Sequence, residues 1–134
     1  GGNPVSAEIG LAVLRVIEDE QLQAHAADVG GRLKAGLGAL AVTHEVIGDV
    51  RGRGLFLGIE FVRDRQTLEP APDVAGYAVA RLKERGILLS TDGPDGNVIK
   101  IKPPMPFLAA DAERLVQELD DVLGHDFVKA VSGA

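Results

Sequence analysis

The stretch EVIGDVRGRGLFLGIEFVRD, residues 45–64, constrains the fold more than any other part of the chain. Successive side chains of a strand point to opposite sides. Leu55, Leu57, Ile59 and Phe61 therefore share one face, while Phe56, Gly58, Glu60 and Val62 share the other. Gly52 and Gly54 join this strand, at about 55–63, to a shorter one at about 46–51. A hairpin with one apolar face must bury that face against other elements.

The elements available to cover it are helical. Ile9, Val13, Val16 and Ile17, widened by Leu14, make a helical stripe over about 6–19. Leu22, Ala26, Val29, Leu33, Leu37 and Leu40 repeat at threes and fours over about 20–42, a second helix. Gly30, Gly31, Gly36 and Gly38 weaken that helix by roughly 0.5–1 kcal/mol each relative to alanine. Glycine also permits close approach, so this helix is expected to pack tightly on a neighbour. RQTLEPAPD reads as a loop, and a short helix follows from Asp73, with Val74, Ala78 and Leu82 inward and Gly86 as its stop. ILLS and VIKI read as two short strands around the turn TDGPDGN. A closing helix carries Leu115, Leu119, Val122 and Leu123 inward, although Leu108 and Ala109 offer it no capping side chain. The order predicts an α+β fold: a small, mostly antiparallel sheet with helices packed on one face.

At 134 residues the chain fits one domain with its own core. A net charge of −6, with no basic run to offset it, argues against a nucleic-acid partner. The absence of cysteine excludes disulfides, thiolate metal sites and a cysteine nucleophile, and fits a cytoplasmic location. No apolar run approaches the roughly 20 residues of a membrane helix, so no membrane partner is expected.

NVIKIKPPMPF, residues 97–107, is the stretch with most chemical promise. Val98, Lys100 and Lys102 share one side of a strand, Ile99 and Ile101 the other, and Pro103 and Pro104 end it. Two lysines on an outer face are read either as guards of a solvated strand or as one cation pointing into a site. His25, His44 and His125 lie in different elements without ligand spacing, so no metal site is predicted. No serine has a nucleophile-elbow context. GRGLFLG, residues 52–58, mis-spaces a dinucleotide-binding motif and precedes a strand, so the phosphate-on-helix mechanism fails. Asp120/Asp121 and Glu18/Asp19/Glu20 read as solvated helix faces. No complete catalytic constellation emerges from the residues alone.

Three separated stretches, GGNPVSAEIGLAVLRVIEDEQL, GDVRGRGLFLGIEFV and LLSTDGPDGNVIKIKPPMPF, resemble in order the C-terminal segment of class III pyridoxal-phosphate aminotransferases. DGPDGNVIKIKPPMPF is most similar to the alanine–glyoxylate aminotransferase-2-like branch, which includes amine phospho-lyases. The resemblance implies that residues 1–134 are the small C-terminal domain of a fold-type I enzyme. Residues 1–20 would form the connecting helix from its large domain. In the family a Thr-Phe pair precedes GGNP, and that threonine reaches the cofactor phosphate of the partner subunit. Gly1, Gly2 and Asn3 would thus lie beside the cofactor phosphate.

The resemblance also implies pyridoxal 5'-phosphate in the parent enzyme and a homodimer. The chain's partners would be its own cofactor-binding domain and a small amine or amino-acid substrate. None of Lys34, Lys83, Lys100, Lys102 and Lys129 stands in the family's Schiff-base context, so the chain alone is expected to be inert, with no catalytic residue of its own. Many family members carry, three residues before the double proline, an arginine that grips the substrate carboxylate. Here that position is Lys100, a point charge without arginine's fork, which would suit a phosphate. Lys102 is read as solvated. The rival reading is a stand-alone α+β binding or regulatory module without catalysis.

Overall fold

The computed structural model describes residues 4–103, 107–125 and 128, with side chains from residue 21 onward. A single helix, α1, runs from Pro4 to Thr43 over 40 residues, roughly 60 Å at 1.5 Å per residue. The sequence patterns predict two helices meeting near residue 20, and the structure corrects this. EDEQLQAHAA, the segment across the expected break, has no proline or glycine, and its residues are mostly good helix formers.

Strand β1 (Ile47–Arg53) turns into β2 (Phe56–Asp64), and a two-residue strand β3 (Glu69–Pro70) pairs with the far end of β2. Helix α2 (Pro72–Glu84), strands β4 (Ser90–Asp92) and β5 (Val98–Ile101), and helix α3 (Ala109–Leu123) complete the chain. The sheet order is β1-β2-β5-β4, and every pairing is antiparallel. Helix α2 is thus the excursion that lets β5 return against β2.

The inward strand face behaves as the alternation requires. Leu57, Ile59 and Phe61 of β2 and Ile99 and Ile101 of β5 are buried against Val29, Leu33 and Leu37 of α1. Val74, Ala78 and Leu82 of α2 and Leu115, Leu119 and Leu123 of α3 complete the same core. The helices share one side of the sheet, as expected of this α+β class.

Close packing of α1 is real at Gly30, where an added Cβ would stand 2.0 Å from the Gly54 carbonyl oxygen. Gly54 itself holds φ +54°, so each glycine of this crossing is needed for its own reason. Lys34 Nζ donates to the Gly52 carbonyl at 3.1 Å, tying α1 to the same hairpin turn.

Three local expectations change. The strand predicted at ILLS is displaced to Ser90–Asp92. Gly86 (φ +84°) reverses the chain after α2, and the Ile87 amide donates back to Leu82 O at 2.9 Å rather than to a strand. Part of the expected loop RQTLEPAPD forms β3. Val62, on the outer strand face, is fully buried beside Gly48, where the β1–β2 register shifts between Ile47 and Asp49. At α3, Leu108 has no side-chain acceptor, yet its amide donates to Asp111 Oδ2 at 2.9 Å, so half of a capping box survives.

Candidate functional site

The outer face of the sheet is left open by the helices, and register sorts its residues into rows. Arg51 stands opposite Gly58, Gly58 opposite Lys100, and Lys100 opposite Ser90. One step along the strands, Asp49, Glu60, Val98 and Asp92 form the next row in the same way. On the other flank Arg53 faces Phe56, and Lys102 Nζ lies 5.4 Å from the centre of the Phe56 ring. An acidic row, a basic row and a basic–aromatic row thus lie side by side in an acidic protein.

Lys100 sits near the middle of this face, on the inner strand β5 between β2 and β4. Its side chain is 55% exposed, and its ammonium lies 3.4 Å from Asp92 Oδ2. The Asp92 carboxyl is held below the usual carboxylate range, first by the Gly93 amide and then by Lys100. Gly58 keeps the centre of the basic row low: an added Cβ there would meet Val98 Cγ1 at 3.4 Å and Arg51 Cγ at 4.0 Å. Arg51 is already shared between Asp49 at 3.1 Å and Glu60 at 3.8 Å. Lys100 therefore has one carboxylate competitor where Arg51 has two.

Two shallow depressions meet at Lys100. One, of about 300 Å³, is lined by Arg51, Gly58, Asp92 and Val98 among others. The other, of about 380 Å³, is bounded by Leu88, Leu89, Ser90, Lys100 and Lys102, with no acidic residue in its lining. Lys102 is exposed, as expected. Gly1, Gly2, Asn3, Pro104 and Lys129 lie outside the described residues.

Two of the three histidines make hydrogen bonds. His25 Nε2 donates to the Phe107 carbonyl at 2.7 Å, linking α1 to the segment ahead of α3. His44 Nε2 lies 2.6 Å from Asp120 Oδ1, and His125 lines the same shallow surface as His44, Asp120 and Asp121. Asp121 also pairs with Arg85 at 2.7 Å. Asp120 and Asp121, read from sequence as a solvated face, are exposed but form the acidic side of a helix-to-helix clamp, while the side chains of Glu18, Asp19 and Glu20 lie outside the described residues. Among the described residues no three histidine or acidic side chains are placed to hold a metal ion.

Comparison with known proteins fixes the family. The model of the aminotransferase class-III family matches residues 1–123. The chain belongs to the class III aminotransferases. It is 50% identical over 120 residues to alanine–glyoxylate aminotransferase 2 homolog 2, mitochondrial, of Arabidopsis thaliana, covering 90% of this chain and 25% of that protein. It is 44% identical over 124 residues to ethanolamine-phosphate phospho-lyase homolog 1 of Caenorhabditis elegans, covering 92% and 27%. Among solved structures, a phospholyase from Arthrobacter in complex with phosphoethanolamine superposes with a TM-score of 0.75 at 39% identity, over 90% of this chain and 29% of that one. The class III chain described here therefore resembles the alanine–glyoxylate aminotransferase-2-like and phospho-lyase branch. It spans about a quarter of the length of these curated relatives.

Asp92, which sequence reading treated only as part of a turn, is the neighbour of Lys100 that it missed. No sequence signal marked it: Asp92 becomes a diagonal neighbour of Lys100 only because β4 forms at Ser90–Asp92, where Ser90 pairs with Lys100.

Proposed function

We propose that this chain is the substrate-side small domain of a pyridoxal-phosphate-dependent class III aminotransferase or amine phospho-lyase, and that Lys100 contacts the anionic group of the substrate. The observation that carries the reading is the exposed Lys100 ammonium on the open sheet face, beside a depression without acidic lining. A single ammonium suits a phosphate or carboxylate without imposing arginine's two-point geometry.

Pyridoxal phosphate is the cofactor we assign to the parent enzyme, with the chain's own large domain and a second subunit as its partners. The described residues do not make a site for that cofactor by themselves. Lys34 is bonded to Gly52 O, Lys100 is paired with Asp92, Lys102 lies over Phe56, and Lys83 stands in solvent. None is enclosed beside a carboxylate that could hold a pyridinium nitrogen. In this reading the part of this chain is to bind and orient the substrate, and the chain alone is expected to be inert.

The test is kinetic, in the whole enzyme. Lys100→Ala should raise KM for the anionic amine substrate and lower kcat/KM by roughly 1.5–3 kcal/mol, the size of a lost charge-assisted hydrogen bond. Lys102→Ala should change it little, and Lys100→Arg should favour carboxylates over phosphates. Equal kinetics for the two alanine variants would mean that the lysines only guard a strand.

A further inference from the structure

On the open face the Lys100 ammonium is paired with a carboxylate of this same chain. Asp92 Oδ2 lies 3.4 Å away, and both groups are more than half exposed. We infer that Asp92 is a resident counter-ion of Lys100, with which the anionic group of a substrate must compete for the ammonium. The inference rests on the reading of Lys100 as the substrate's anion contact.

Three observations set the sign of the effect. First, Lys100 does not need Asp92 to be placed. Its backbone is fixed in the centre of the ladder, between Gly58 and Ser90. Second, Asp92 stays charged, because the Gly93 amide and Lys100 both favour its ionised form. A neutral acid would offer no competition. Third, the approach from the other side is clear of carboxylates: Leu88, Leu89, Ser90 and Lys102 line it with Lys100. An anion arriving there meets the ammonium from the flank opposite Asp92, and the lysine's flexible stem lets it turn away from its counter-ion. An exposed ion pair of this kind is weak, so it tunes affinity by a small factor and does not block the site.

The measurement is the binding of inorganic phosphate to the whole holoenzyme, by calorimetry, in the wild type and in Asp92→Asn, Lys100→Ala and the double variant. Asp92→Asn should tighten phosphate binding about two- to fivefold, the range of an exposed ion pair. It should lower KM for the anionic amine substrate by a similar factor. The double variant should bind phosphate no better than Lys100→Ala alone. If Asp92→Asn leaves binding unchanged or weakens it while Lys100→Ala weakens it, Lys100 is the anion contact and Asp92 is no competitor. If Lys100→Ala changes neither phosphate binding nor KM, the Lys100 reading fails and this inference falls with it.

Discussion

Gly30 and Gly31 are neighbours in one helix with opposite environments. A methyl group at Gly30 would collide with the Gly54 carbonyl, while nothing lies within 4 Å of one at Gly31. Gly30→Ala should therefore destabilise the fold by about 1–3 kcal/mol or more, because the hairpin must shift to admit it. Gly31→Ala should stabilise by about 0.5–1 kcal/mol through helix propensity. Urea unfolding of the two variants separates them. The sequence showed both glycines as equal weaknesses; only the register of α1 against the hairpin tells them apart. Asn97 was equally hidden, placed in a turn by its neighbours. It is buried, and it exchanges bonds with Phe61 at 3.0 Å through its side chain and 2.8 Å through its backbone. Asp92 adds a pH dependence. Its carboxyl is lowered in the fold, so its contribution is present above the unfolded carboxylate range and is lost as pH falls through the lowered value. Asp92→Asn should flatten this part of the acid unfolding curve, which a pH series of thermal melts would record.

Among the elements, the long helix was misread and the hairpin was not. Alternation in Leu55, Leu57, Ile59 and Phe61 has a single structural solution once one face is buried, so β2 was legible. Two apolar stripes with different phase looked like two helices, since nothing in the pattern shows whether the backbone continues between them. Gln21→Pro decides the matter. Near the start of a second helix a proline would be tolerated, whereas inside the continuous α1 it should cost about 3 kcal/mol and reduce helical circular dichroism. The end of α1 is held by a residue from the next hairpin. Arg65 donates to the carbonyls of Ala41, His44 and Glu45, the last two at 3.1 and 3.2 Å. Arg65→Met should lower stability by about 1–2 kcal/mol, because carbonyls at a helix C-terminus lose a cationic donor. No sequence spacing announces a cap that comes from more than twenty residues away.

On the scale of the whole molecule, the helices cover one face of the sheet and leave the charge-sorted face open. The sign of Lys100 and its side of the strand were legible from alternation, and its proposed role came from resemblance to the family. The three rows were not legible, because they depend on how four strands align, and β4 was displaced from its expected position. Mixing the chain with pyridoxal phosphate should give no stoichiometric, visible-absorbing lysine adduct, since its described lysines are engaged or open to solvent. An absorbance titration that saturates at one cofactor per chain would contradict this. The most direct test of the central claim is a crystal structure of the whole enzyme with an anionic amine substrate bound. The distance from Lys100 Nζ to the nearest oxygen of the anionic group should fall in the hydrogen-bonding range, about 2.7–3.2 Å. A substrate anion held by other residues, with Lys100 still paired to Asp92, would contradict the account.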